Sequence, residues 1–202
     1  MLVVFPVSLA KDPCYPNQNA DTTLQTGTAY QDDIPMDTWY RYNFAATIFL
    51  QSEVGDKKKV RGLQWMLGTS VTSFNRPNIT VKLYHTTETI MPASPTTNLI
   101  TQLSGTNVTT VLDSGTWTIA GSNGNFMTPF TFEKTFCYNG VDNLVIQIED
   151  RSNQVGTNYT NMWKGNTNTP TQNKSCWDRS DGGYEELTPV RGNWRNNIKL
   201  LY

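Results

Sequence analysis

The chain has 202 residues, 37% hydrophobic and 16% charged, with a net charge of −1 at pH 7. This length suits one β-sandwich domain better than two very small domains. Six Trp, nine Tyr and eight Phe supply a core, which excludes a disordered chain. The balanced charge excludes a basic nucleic-acid-binding face, and no stretch approaches the roughly 20 apolar residues of a membrane-crossing helix.

The first element is an apolar run, MLVVFPVSLA. Ser8 and Ala10 are spaced like a signal-peptidase site, but no basic stretch precedes the run. With three valines, Leu2, Val3, Val4, Phe5, Val7 and Leu9 read as a strand rather than a helix. That strand closes its own sheet or adds to a neighbouring subunit as an assembly arm. Pro6 removes one donor and so limits pairing to one side. Residues 1–21 are read as arm and connector, and residues 22–202 as the domain.

Helical periodicity is nearly absent from the body. Short alternating or apolar runs fall at 46–51, 60–68, 78–86, 109–119, 126–136, 143–150, 158–165 and 196–202, separated by Gly, Pro, Asn and Asp. The cleanest is NITVKLYHT, where Ile79, Val81, Leu83 and His85 alternate with Thr80, Lys82 and Tyr84. LVIQI at 144–148 is apolar on both faces except Gln147, which predicts a central strand. Asn139-Gly140 before it predicts a left-handed reversal, with Asp142 and Asn143 capping backbone donors. Polar loops are expected near 86–108 and 165–195. Lys57-Lys58-Lys59, the only dense basic run, reads as a solvated loop. The expected fold is all-β, an antiparallel, jelly-roll-like sandwich of about eight to ten strands.

The segment order resembles a β-sandwich module of secreted and cell-surface proteins of the Bacteroidetes type, shared with their phages. The likeness rests on Trp39-Tyr40-Arg41-Tyr42, Gln51-Ser52-Glu53-Val54-Gly55, and residues 78–86, 111–116, 136–148 and 195–200. It covers about 22–202, and no motif in it is catalytic. The resemblance implies an extracellular, cell-surface or virion setting. The apolar arm at Met1, without a secretion signal, points to a free-standing subunit of a fibre, filament or virion. Its partners would be copies of itself or other surface proteins.

Chemistry is thinly signalled. A single histidine, His85, leaves no base for a nucleophilic triad, and no phosphate-cradling or metalloprotease motif is present. No catalytic residue is assigned, and no enzyme is expected. Glu149, Asp150, Glu185 and Glu186 could supply a carboxylate pair for glycoside hydrolysis, but read as solvated positions. No cofactor is expected, with calcium the one candidate. Asp32, Asp33, Asp37, Asp142, Asp150, Asp178 and Asp181 offer oxygens, with Asp142 and Asp150 the assigned ligands, and none forms a calcium-loop motif. The alternative to an assembly subunit is a carbohydrate-binding module, with Trp163, Trp177, Tyr184 and Trp194 stacking on sugar rings from loops. Cys14, Cys137 and Cys176 have no metal-ligand spacing, and any disulfide pairing among them stays open.

Overall fold

The structure, a computed structural model, describes residue 14 and residues 20–157, 159–166 and 173–202. The six arm residues Leu2 to Leu9 named above lie outside the described residues. Thirteen strands lie among the described residues, more than expected because short edge pieces flank the long ones. They are β1 (Thr22–Leu24), β2 (Ala29–Gln31), β3 (Tyr42–Phe49), β4 (Lys58–Trp65), β5 (Val71–Thr86), β6 (Thr106–Gly121) and β7 (Phe130–Tyr138). These are followed by β8 (Asn143–Asp150), β9 (Trp163–Asn166), β10 (Ser175–Ser180), β11 (Val190–Gly192), β12 (Arg195–Asn196) and β13 (Ile198–Leu201). Two single-turn α-helices intervene, α1 (Gln51–Val54) and α2 (Leu99–Gln102), besides a 3-10 turn at Tyr184–Glu186. Neither is long enough to cross a membrane.

The strands form an antiparallel sandwich. One sheet has the order β1-β13-β4-β7, the larger β11-β10-β3-β8-β5-β6, and a small third sheet β12-β9-β2. The chain changes sheet along β3–β4–β5 and again along β6–β7–β8, the alternation of a jelly roll. β8 pairs with both β3 and β5, so it is central, as its sequence predicts. Its period of two divides it between two cores. Leu144, Ile146 and Ile148 face the inter-sheet core with Leu63, Trp65, Val81 and Trp117. Val145 faces a second cluster on the outer side of the six-stranded sheet, where Met91, Leu99, Leu103, Tyr184 and Leu187 cover it. The two polar loops thus carry this second layer, and the one near 165–195 also holds β10 and β11.

Two local expectations are corrected here. Lys58 is not solvated: it lies within β4, buried, with its Nζ donating to the Val54 carbonyl. Glu149 and Asp150 are buried rather than solvated. Glu53, in the motif after β3, pairs bidentately with Arg195 at the start of the closing strands, with Nη1 2.7 Å from Oε2. Two segments of the sequence pattern are thereby locked together by a planar fork that Lys could not supply.

Candidate functional site

The six-stranded sheet ends in a polar anchor. Asp150, the last residue of β8, accepts from Arg76 Nε at 2.8 Å, Asn43 Nδ2 at 2.9 Å and the Ser152 amide at 2.9 Å. The Arg76 and Asp150 side chains are 1% and 0% exposed. Burying such a pair is tolerated only when every lone pair and proton finds a partner. Arg76 spends its remaining donors on the carbonyls of Thr38 and Tyr40. Asn43 Oδ1 accepts from the Asp37 amide at 2.9 Å. The anchor therefore holds the 37–41 turn in one place.

On that turn Thr38 is buried, while Trp39 and Arg41 face outward. Trp39 is 48% exposed, and its amide donates to Asp37 Oδ1 at 3.0 Å, a local Asx turn. The Tyr40 ring lies 4.7 Å from the Arg179 guanidinium, which is 5.5 Å from the Trp177 ring. Arg179 is steered by Asp37, 2.8 Å from Nη1, and by Asp33. Burial pushes the Asp37 carboxyl up against the pull of the Trp39 amide, and holds Arg179 below its ordinary value. The Tyr40 and Trp177 rings both lie near the Arg179 cation, and the exposed Trp39 adjoins Tyr40 in the chain; together they form an aromatic ridge. Such a surface can stack on a ring's apolar face while Arg179, Asp33 and Asp37 meet its hydroxyls.

The sequence-assigned residues are placed as follows. Trp177 belongs to the ridge and is half-buried. Trp163 does not stack on ligands: it is fully buried, 6.2 Å from the Trp117 ring, with Nε1 donating to the Met36 carbonyl at 2.9 Å. Tyr184 is likewise covered, under the Arg151 guanidinium at 3.6 Å. Trp194 is half-buried and is not one of the rings beside the Arg179 guanidinium. Both Trp163 and Tyr184 are large rings beside the two cores, where burial outweighs exposure on a loop.

Asp142 and Asp150 flank β8 from opposite ends. Eight residues of strand at about 3.3 Å each put them roughly 26 Å apart, so one ion cannot bind both. Asp142 instead accepts from Asn139 Nδ2 at 2.7 Å. Among the described residues, no three His, Cys, Asp or Glu side chains gather to hold a metal. Glu149 and Asp150 are successive residues on a strand and point to opposite faces, Glu149 to Lys82 and Asp150 to Arg76. They cannot act on one bond together, and Glu185 is 82% exposed beside Arg151.

Sequence reasoning missed the ridge as a unit. MDTWYRY is the densest aromatic stretch in a polar turn, and that density was the available signal. Its partners Trp177 and Arg179 are distant in sequence, and only the pairing of β10 with β3 brings them alongside. Comparison with protein-family profiles, with curated proteins and with solved structures finds no match. The reading of the ridge rests on its geometry.

Proposed function

We propose that the protein is a non-enzymatic structural and adhesive subunit of an extracellular surface assembly, a fibre, filament or virion component. The setting that fits is the Bacteroidetes-type surface, of the host or a phage. The observation that carries this reading is the ridge on its buried anchor: ionisable groups are spent on holding a turn, and that turn leaves the Trp39 ring outward. The Cys14–Cys137 disulfide supports an oxidising compartment, since cytosolic thiols stay reduced. Self-association runs through the sheets and the apolar N-terminal arm.

A second reading, carbohydrate binding, is favoured by the ridge itself. Trp39, Tyr40 and Trp177 would stack on a sugar while Arg179 donates to its hydroxyl oxygens and Asp37 accepts from its hydroxyls. A glycan array with the purified chain tests it. Trp39→Ala and Trp177→Ala should each weaken retained ligands at least about tenfold, roughly 1.4 kcal/mol. Trp194→Ala, off the ridge, should not. Binding that survives both ridge substitutions removes this reading, and a chain that is monomeric by negative-stain microscopy removes the first.

A further inference from the structure

The two sheets meet at one end of the molecule and part at the other. Where β6 ends and β7 begins they are stitched, with the Thr128 amide donating to the Ala120 carbonyl at 2.8 Å and its hydroxyl at 3.1 Å. At the start of β6 and the end of β7 they separate around a cleft of about 330 Å³. His85, Asn107, Thr109, Thr135, Phe136 and Cys137 line it. β6 and β7 are each the last strand of their sheet, so both present an outer edge with no partner strand among the described residues. Along this part of β6 the residues Thr106, Asn107 and Val108 are exposed, and Val108, an apolar side chain, is 40% exposed. Unpaired edges of this length attract another strand unless something covers them.

The disulfide says what is nearby. Cys14 is bonded to Cys137, one of the cleft residues, with Cα atoms 5.0 Å apart. Cys14 is therefore fixed beside the cleft, and residues 1–13 precede it in sequence. They carry Leu2, Val3, Val4, Phe5, Val7 and Leu9, the β-branched and apolar composition that a buried added strand needs. An extended chain covers about 3.3 Å per residue, so the segment reaches roughly 43 Å, comparable with the length of β6.

We propose that the cleft between the β6 and β7 edges accepts residues 1–13 of a second copy of this chain, which add as a strand along β6. This rests on the assembly reading above and names where the arm docks. Tether and cleft lie side by side on each copy, so two copies facing mouth to mouth exchange arms reciprocally, a self-complementary two-fold contact. Pro6 leaves one side of the arm without a donor, which suits pairing along a single edge. Backbone bonds along β6 supply affinity, and Phe136 at the floor receives an apolar side chain.

The test compares the full chain with a variant lacking residues 1–12 that keeps Cys14, by light scattering across a concentration series. A second pair, Thr109→Arg and Thr135→Arg, blocks the cleft at surface positions without removing the arm. Val190→Arg, on β11, the opposite edge of the sheet among the described residues, is the control. The deletion and both cleft variants should weaken self-association at least tenfold, and the control should not. Thermal unfolding confirms that each variant is folded. Benzoylphenylalanine at position 5 in mixed light and heavy isotope copies should give light–heavy crosslinks to β6. If the deletion variant stays oligomeric, the docking site falls while the assembly reading stands. If the full chain is monomeric throughout, the assembly reading itself falls. Crosslinks within one copy only mean that the arm closes its own edge, and overturn the exchange.

Discussion

Asp150 shows how much rests on single side chains at the ridge. Its carboxylate compensates a guanidinium that is 1% exposed, so Asp150→Ala leaves Arg76 buried and unpaired. The expected loss is about 3–5 kcal/mol in urea unfolding. Replacing both partners with apolar residues should cost less, because no uncompensated charge remains. That double variant should still exchange the Trp39, Tyr40 and Arg41 amides faster, since Arg76 no longer holds the Thr38 and Tyr40 carbonyls. Unchanged exchange there would mean that the anchor does not order the turn. His85 works differently. The Asn139 amide donates to Nε2 at 3.0 Å, which requires that nitrogen to be unprotonated. Burial against Phe136 and Tyr138 holds the imidazole below its ordinary 6.5, against the pull of Asp142. The unfolded chain then takes up the proton first. His85 contributes stability that is complete above about pH 6.5 and is lost as pH falls through the lower folded value. The urea midpoint should drop between about pH 7.5 and pH 5, and His85→Gln should flatten that slope. An equal slope in the variant would assign the acid sensitivity to other groups.

At the scale of elements, the FCYNGVDN corner shows local chemistry and packing acting together. Gly140 has φ +73°, and a Cβ there would meet the Lys57 amide at 2.4 Å. Gly140→Ala should therefore cost about 1–3 kcal/mol, from backbone strain and the clash together. Gly183→Ala, where an added Cβ meets nothing within 4 Å, should stay within about 0.5 kcal/mol. Chemical denaturation of the two separates conformational need from composition. The corner's backbone donors are capped by Asn139, whose Oδ1 accepts the Val141 and Asp142 amides at 2.9 and 3.0 Å, and not by Asp142, whose carboxylate accepts from the Asn139 side chain. Asn143 reaches further, accepting the Gln51 amide at 2.8 Å and so fixing α1 to β8. The long apolar strands were legible because burial on one or two faces writes a period of two into the residues. β10 was not: SCWDRS has no apolar run, because its alternate positions serve a buried thiol on one face and the ridge on the other.

Across the whole molecule, the longest covalent link is the disulfide closing a separation of 123 residues. Cys137→Ser should lower the stability by roughly 3–5 kcal/mol, seen as a fall in the thermal midpoint that reducing agent reproduces in the parent chain. No change would mean that the unfolded chain gains nothing from release of the loop. The third cysteine cannot substitute: Cys176 is buried under the second cluster, and burial pushes its thiol up to about 12.

The sequence by itself determined the class of fold, the central place of β8 and the polar corner that feeds it, because periodicity and turn chemistry act between near neighbours. It also singled out Trp177 as a stacking residue, but not Arg179 beside it. Tertiary structure alone decided that Trp163 and Tyr184 are core while Trp39 is surface, and that Asp150 and Arg76 anchor a turn. Those outcomes depend on which strands pair, and burial is a property of the packed layers rather than of any short stretch. The same holds for the Cys14–Cys137 pairing, which required the end of β7 and the connector before the domain to meet.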